Sequence, residues 1–489
     1  MNYISGNCNH DLGYNYRFLL IAIMLFPFFL NSNGQSTPGE WEVFPDFQTN
    51  AVYGIHQHKD IVYRAGWFSL FKWDGAEWQI FGGGISGDAG NTSARDLISF
   101  PIIGNSDSVL VIGGYFNKAG SIDVGSIAYW DGTNFGTYGT GVDGEIVALA
   151  IYQGDLIAGG MFSSAGGISA NNIARWNGTQ WLPLGNGVYD VVPGSVDGVT
   201  EMVVWNDKLY VVGNFTHAGD NMQVNYVACW DGLTWSDLEG GMVLEGEDIT
   251  GMRGCAVHDN MVVVVGAFDW AGSTEAVNVA GWDGTIWHAF PPGPDPIGGF
   301  LNLRQAAHSV KSYNNLLYVG ADFTNTAGNA AEALAVWENN EWKAVEGGLF
   351  GGGLFGPVIY DMSVVPQYDS VQSLLIGGLF EIANGMATDN VARYTTQAII
   401  IDIEDHTKNN EHSIKLYPNP AKTSIIIDSH QFISNDFQMT INTLEGRPVF
   451  AQRLSGFKTK INISHLPAGI YIVKVWNDKD VMVRKVIKQ

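Results

Sequence analysis

Short apolar runs separated by glycine-rich polar turns recur along most of this chain. One unit reads as an apolar strand, Gly-Gly-x-Phe, an Ala-Gly loop, a second apolar strand and Trp-Asp-Gly-x-x-Trp. A clear copy begins Leu156-Ile157-Ala158-Gly159-Gly160-Met161-Phe162 and passes through Ala165-Gly166-Gly167. It ends in Asn172-Ile173-Ala174-Arg175-Trp176-Asn177-Gly178-Thr179-Gln180-Trp181. Runs this short, bounded by turn residues, predict strands rather than helices. The first aromatic of each Trp-Asp-Gly hairpin falls at Trp73, Trp130, Trp176, Trp230, Trp282, Trp337 and, in degenerate form, Tyr394, in steps of 57, 46, 54, 52, 55 and 57 residues. Four-stranded propeller blades repeat at roughly 40–50 residues, so the spacing predicts an all-β, seven-bladed β-propeller over 36–398.

Each part of the unit has a physical role. Asp-Gly at 74–75, 131–132, 231–232 and 283–284, with Asn177-Gly178 as a variant, predicts a hairpin with a type I′ turn, because glycine accepts positive φ. The glycine pairs at 113–114, 159–160 and 377–378 lack side chains where strands crowd together, which explains them without a ligand. The last copy stops at Tyr394 without its second hairpin strand. An orphan of that kind, Gly39-Glu40-Trp41-Glu42-Val43-Phe44, stands near the other end. The orphan is therefore expected to complete the last blade and close the ring, which removes exposed sheet edges.

The glycine pair followed by a spaced aromatic resembles kelch-type propellers. The Gly-x-Phe, Ala-Gly-Gly, Asn-x-Ala-x-Trp-Asp-Gly wording is similar to large cell-surface propellers related to the cortical polarity marker family. The resemblance runs from Trp41 to Tyr394 and implies a fold, since propellers host enzymes, lectins, adhesins and scaffolds alike. The first copy departs from the pattern: Gly66-Trp67-Phe68-Ser69-Leu70 runs into Phe71-Lys72-Trp73 with no Ala-Gly loop.

Beyond a polar linker at 399–412, residues 413–489 alternate strands and short turns and predict a small Ig-like β-sandwich. Tyr417-Pro418-Asn419-Pro420 near its start, Leu466-Pro467 with Gly469 and Tyr471 near its end, and Lys485 and Lys488 in a basic finish resemble the type A sorting domain of type IX secretion substrates. The resemblance implies partnership with that secretion machinery and a secreted or outer-surface location in a Gram-negative bacterium. A 13-residue apolar run at 18–30, behind Arg17, is shorter than the roughly 20 residues that span a bilayer. It predicts a signal peptide over 1–35, and the mature chain is expected to carry no transmembrane segment.

Charge narrows the partners. Residues 36–396 hold 12 Lys and Arg against 39 Asp and Glu, whereas 397–489 hold 12 against 9. So acidic a body repels nucleic acid. Of three cysteines, Cys8 precedes the apolar run; Cys229 and Cys255, both in apolar strand patterns, read as free buried thiols.

Candidate chemistry is sparse. No metalloprotease, serine-hydrolase or phosphate-loop motif occurs, and no cofactor is implied. His56-Gln57-His58 puts two imidazoles on one face of a strand, a fragment of a metal site, but reads more simply as a solvated strand-turn. A copper radical oxidase needs a Tyr/His/Cys site, and Cys229 occupies a variable strand position instead. Glycosidase chemistry needs two carboxylates about 5–10 Å apart, which spacing cannot locate. The Ala-Gly loops offer ligand-face candidates in His217, Asp220, Asn221, Trp270 and Asn325. The leading reading is a monomeric, non-enzymatic binding or adhesion module for a glycan or protein. A carbohydrate-active hydrolase or lyase in the propeller funnel and a structural spacer are the alternatives. The discriminating feature is that funnel: aromatics with facing carboxylates favour chemistry, a glycine-lined channel does not.

Overall fold

The computed structural model describes residues 39–44, 50–87, 92–102, 107–190, 198–244, 251–290, 307–321, 333–352, 356–366, 372–396, 415–418, 421–428, 438–443, 448–454, 458–467, 469–476 and 481–488. The expected signal peptide and linker lie outside the described residues, as do Asn325, Asn419 and Pro420. The described residues are all β, with no helix among them.

Seven four-stranded antiparallel sheets are built from the repeats. Sheet 1 takes Val52–His58, Ile61–Gly66, Ser69–Trp73 and Trp78–Ile80 in chain order. The leading strands of sheets 2 to 7 are Ser93–Pro101, Glu145–Tyr152, Gly198–Trp205, Met252–His258, Ala307–Tyr313 and Val358–Pro366. Consecutive leading strands pack against one another, and that of sheet 7 packs against that of sheet 1. Sheet 7 is completed from the other end of the chain, as the orphan strand predicts: Gly39–Val43 pairs with Val391–Thr396, placing Trp41 opposite Tyr394. Trp41 Nε1 also donates to the Glu346 carbonyl at 2.8 Å. Buried Arg64 of sheet 1 lies 3.4 Å from the Asp389 carboxylate, with its guanidinium over the rings of Phe71 and Trp78.

Every leading strand carries one β-bulge, at Tyr53, Arg95, Val147, Thr200, Arg253, His308 and Tyr360, the residues skipped in the pairing registers. A bulge bends its strand and re-aims a side chain. The glycine pairs sit opposite these bulges. A Cβ on Gly114, Gly160, Gly213 or Gly378 would lie 2.0–2.1 Å from a carbonyl oxygen of the bulged strand. A Cβ on Gly113, Gly159 or Gly377 would lie 2.6–2.7 Å from the next sheet's Ile146, Val199 or Val52. Crowding therefore does explain the pairs, from the bulged strand at the second glycine and from the next sheet at the first.

The remaining repeat residues join strands or sheets. Asn172, Asn278 and Asn390 take left-handed φ of 62°, 64° and 63°, which asparagine tolerates. Each Oδ1 accepts the amide of the Gly-x-Phe aromatic: Phe162 at 3.1 Å, Phe268 at 3.3 Å and Phe380 at 2.7 Å. The second Trp of the hairpin bonds backward across sheets. Trp181, Trp235 and Trp287 donate from Nε1 to the carbonyls of Tyr138, Leu184 and Leu238, all at 2.8 Å.

The turn assignment needs correction. At Trp-Asp-Gly the loop holds four residues, and the Asp side chain accepts two amides ahead of it: Asp74 those of Ala76 and Glu77, Asp131 those of Thr133 and Asn134. Only the glycine has positive φ, so these are not type I′ turns. Two-residue turns with both φ positive instead join leading strands to second strands, at Asn206-Asp207, Asp259-Asn260 and Asn314-Asn315, and in sheet 6 one also joins the third and fourth strands, at Asn339-Asn340.

Toward the C-terminus, Lys415–Tyr417, Ser424–Asp428 and Lys458–Asn462 form one sheet, and Pro448–Arg453, Gln438–Asn442, Gly469–Trp476 and Val481–Lys488 another. Ile425, Ile427, Ile461, Ile441, Val473 and Val475 share their core. Cys229 and Cys255 are free and buried.

Gly160→Ala should force its methyl group into the Glu145 carbonyl, since overpacking typically costs about 1–3 kcal/mol. Chemical denaturation should show that loss, and an unchanged midpoint would refute the assigned role of the glycine pair.

Candidate functional site

The seven bulges converge. Tyr53, Arg95, Val147, Thr200, Arg253, His308 and Tyr360 line one cavity of about 210 Å³, one residue from each sheet, with Asp96, Glu201 and Asp361 completing its wall. These three acids each directly follow a bulge residue in their strand. Among the described residues, Val147 is the only aliphatic one lining it. The rest is aromatic, charged or hydroxyl-bearing.

Rigid contacts hold the aromatics. The Tyr53 ring lies 5.0 Å from that of Tyr360, which in turn lies 6.1 Å from that of His308. Arg95 stacks on Tyr53 with its guanidinium carbon 4.5 Å from the ring centre, and its Nε is 2.6 Å from Glu145 Oε1. Trp67 donates from Nε1 to the Tyr53 hydroxyl. Arg253 is exposed and has no charged partner among the described residues.

Two of the acids double as struts between sheets. Asp96 Oδ2 accepts the Leu149 amide of sheet 3 at 2.6 Å, and Asp361 Oδ2 accepts the Ile55 amide of sheet 1 at 2.8 Å. Ile55 and Leu149 occupy the same place, two residues beyond their own bulges. Glu201 Oε1 accepts the amide of Met202 at 2.9 Å. Burial raises all three carboxyls by disfavouring their charge. Asp96 stands well above the usual range, with Glu201 and Asp361 adding repulsion. Glu201 is pushed to about 7, opposed chiefly by the nearby Lys311 ammonium. Asp361 is raised by burial and held back by the same lysine.

The paired histidines do not form a solvated turn. His56 and His58 belong to the leading strand of sheet 1, and each ring places a nitrogen 2.8 Å from Ser99 Oγ on the neighbouring sheet. His258 repeats the contact with Ser312 Oγ at 2.9 Å. Burial, then His58 and Lys311, lower His56 to about 4.

The loop candidates stand elsewhere. His217 stacks on Tyr189 with ring centres 5.8 Å apart, Asp220 accepts from Asn186 Nδ2 at 2.6 Å, and Asn221 takes φ 68° in the same hairpin. Trp270 belongs to the equivalent hairpin of the next repeat, and none of the four lines the cavity. The cavity residues had one trace in the sequence: consecutive polar pairs that break an apolar run, such as Arg95-Asp96, Thr200-Glu201 and Tyr360-Asp361.

In the C-terminal region, Leu466 and Tyr471 are buried in the shared core, and the Tyr471 hydroxyl donates to the Pro467 carbonyl at 3.0 Å. Tyr417 and Pro418 are exposed, as are Pro467, Gly469 and Lys485, while Lys488 is buried.

Comparison with known proteins identifies this end of the chain. Residues 415–489 match the profile of the secretion system C-terminal sorting domain. The protein is therefore exported by the type IX secretion system, and is secreted or at the cell surface of a Bacteroidetes-type bacterium. No curated protein matches the chain. Among solved structures, it is similar to PorZ, a surface component of the type IX secretion system of Porphyromonas gingivalis (14% identity, TM-score 0.45). That match covers 90% of this chain, which spans only 59% of PorZ. A fungal alcohol oxidase of the AA5 family in complex with copper aligns over 94% of this chain and 100% of its own (11% identity, TM-score 0.39). The computationally designed Ika8 protein aligns over 90% and 97% (13% identity, TM-score 0.36).

Two half-buried groups should tilt the pH dependence of stability in opposite directions. His56 takes up a proton between about 6.5 and 4 only when unfolded, so its contribution is lost as pH falls through that window. Glu201 contributes below its unfolded value of 4.5, and that contribution is lost as pH rises to about 7. Denaturation series from pH 4 to 8 should show His56→Gln flattening the acid limb and Glu201→Gln flattening the opposing slope. Parallel curves for both variants and the parent would contradict these assignments.

Proposed function

We propose that residues 36–398 form a closed seven-bladed propeller of kelch-like type, joined by a linker at 399–412 to the sorting domain, and that the propeller is a binding module whose ligand site is the shared cavity. The cyclic packing of the leading strands and the seam at Gly39–Val43 support the closed ring. One observation carries the binding site: seven sheets each spend a bulge to aim a residue into one polar, aromatic cavity. A packing role alone would favour apolar residues at those positions, whereas ligand pockets need a few convergent polar groups.

Binding takes precedence over catalysis because Asp96 and Asp361 already hold main-chain amides of neighbouring sheets. Hydrolysis or lysis is the second reading, favoured by Glu201, whose carboxyl near 7 suits a general acid. The hairpin face bearing His217, Asp220, Asn221 and Trp270 is a secondary candidate surface.

A glycan and protein array probed with the mature chain tests the first reading. Arg253→Ala should lower the signal at least tenfold on any ligand that binds the cavity, and signals untouched by the variant would place the ligand elsewhere. New reducing ends on incubation with polysaccharides, abolished by Glu201→Gln, would favour the second. For export, deleting residues from Lys415 onward should leave the protein in the periplasm; surface protein in the deletion strain would contradict the sorting assignment.

A further inference from the structure

Resting on the cavity as the ligand site, we infer that it is the inner end of a longer cleft that takes a linear, neutral glycan, which enters over sheet 1 along a strip of aromatic rings. The evidence begins with the irregular first repeat. In sheets 2, 3, 4, 5 and 7 a short hairpin stands between the second and third strands, at the end where the bulges lie, as at Ser164–Ala165 with Ile168–Ser169. In sheet 1 those strands are joined by Trp67 and Phe68 alone. The rim is lowered there.

What fills the gap is aromatic and exposed. Trp67 is 40% and Phe68 56% exposed. Phe68 has φ 57°, a left-handed conformation that bulky side chains rarely adopt and that costs roughly 1–2 kcal/mol. Its amide donates to the Thr92 carbonyl at 2.8 Å, which fixes the exposed ring in place. Strain of this kind, spent on an outward-facing aromatic, contributes nothing to a core and marks a working surface.

The rings form a continuous file. Centroids step 5.8 Å from Phe68 to Trp67, 6.4 Å to Tyr53, 5.0 Å to Tyr360 and 6.1 Å to His308. It begins at the surface and ends in the cavity. Trp67 and Tyr53 are tied by their hydrogen bond, so the outer and inner parts of the file move together.

Chemistry selects the occupant. Aromatic faces stack on the C–H faces of sugar rings, and the carboxylates and Arg253 at the inner end accept from and donate to hydroxyls. A peptide side chain would find, among the described residues, a single aliphatic one there, Val147. A polyanion would meet a chain of net charge −24. A neutral glycan satisfies both the rings and the polar end.

Titration of the mature protein with neutral gluco-, manno- and xylo-oligosaccharides of one to six units, followed by tryptophan fluorescence and calorimetry, tests this. For at least one series, affinity should rise at least tenfold from one to about four units. Trp67→Ala should lower hexamer affinity about tenfold and leave the single sugar unchanged, Trp67→Phe should restore most of the loss, and Arg253→Ala should weaken both. Since Trp67 lies on the surface, the variants should keep the parental unfolding midpoint, checked in parallel. Affinity independent of length, or a hexamer indifferent to Trp67→Ala, overturns the strip while leaving the cavity as the site. Preference for uronate oligomers, or Arg253-dependent binding of a protein instead, overturns the neutral glycan. Absence of any Arg253-dependent binding across the array removes the cavity reading and the strip with it.

Discussion

One extra residue in each leading strand is the constraint from which the architecture around the cavity follows. The bulge brings a carbonyl oxygen so close to the second strand that a β-carbon there would overlap it, and glycine is the residue that fits. The same kink turns one side chain out of the sheet toward the centre shared by all seven. The glycine facing the bulge and a cavity lined once per repeat are thus two faces of a single backbone irregularity. The first, fourth and fifth sheets keep only the glycine paired just before the bulge, at Gly66, Gly213 and Gly266, and the sixth only the one paired just after it, at Gly320, so the two positions are separable demands.

Between sheets, cohesion comes from polar groups at fixed repeat positions as much as from apolar burial. Tryptophan Nε1 atoms bond to carbonyls one repeat earlier, His58 and His258 reach serines on the next sheet, and Asp96 and Asp361 accept amides across the same kind of boundary. Such bonds are directional, so they set how far one sheet is turned against the next, which burial alone leaves loose. At the seam the chain supplies a larger set: a strand pairing, the Trp41 bond and the buried Arg64–Asp389 pair. That pair joins sheets whose residues lie 325 positions apart in sequence.

The acids of the cavity serve two purposes at once. Partly removed from water and close together, Asp96, Glu201 and Asp361 repel one another, and Lys311 with the donated amides makes the cluster tolerable. A cluster kept only for stability would be simpler without three carboxylates. Their placement beside Tyr53 and Tyr360 is what a polar ligand would meet.

The sequence by itself determined the repeat, its period, the number of sheets and the strand that completes the last of them, because spacing and turn residues are local properties that survive without coordinates. The sorting domain was legible for the same reason: Tyr417-Pro418 and Leu466-Pro467 are contiguous signals. The turn type at Trp-Asp-Gly was misread because an Asp side chain that accepts two amides ahead of it can replace a backbone turn. The cavity was decided by the tertiary structure alone. Tyr53, Arg95, Glu201, Arg253 and Tyr360 come from different repeats, and nothing in any one strand says that its bulge points where the others do. His56 and His58 belong to the same lesson: the Lys59-Asp60 that follows them suggested a solvated turn, and Ser99, on a neighbouring sheet, gave them a contact between sheets.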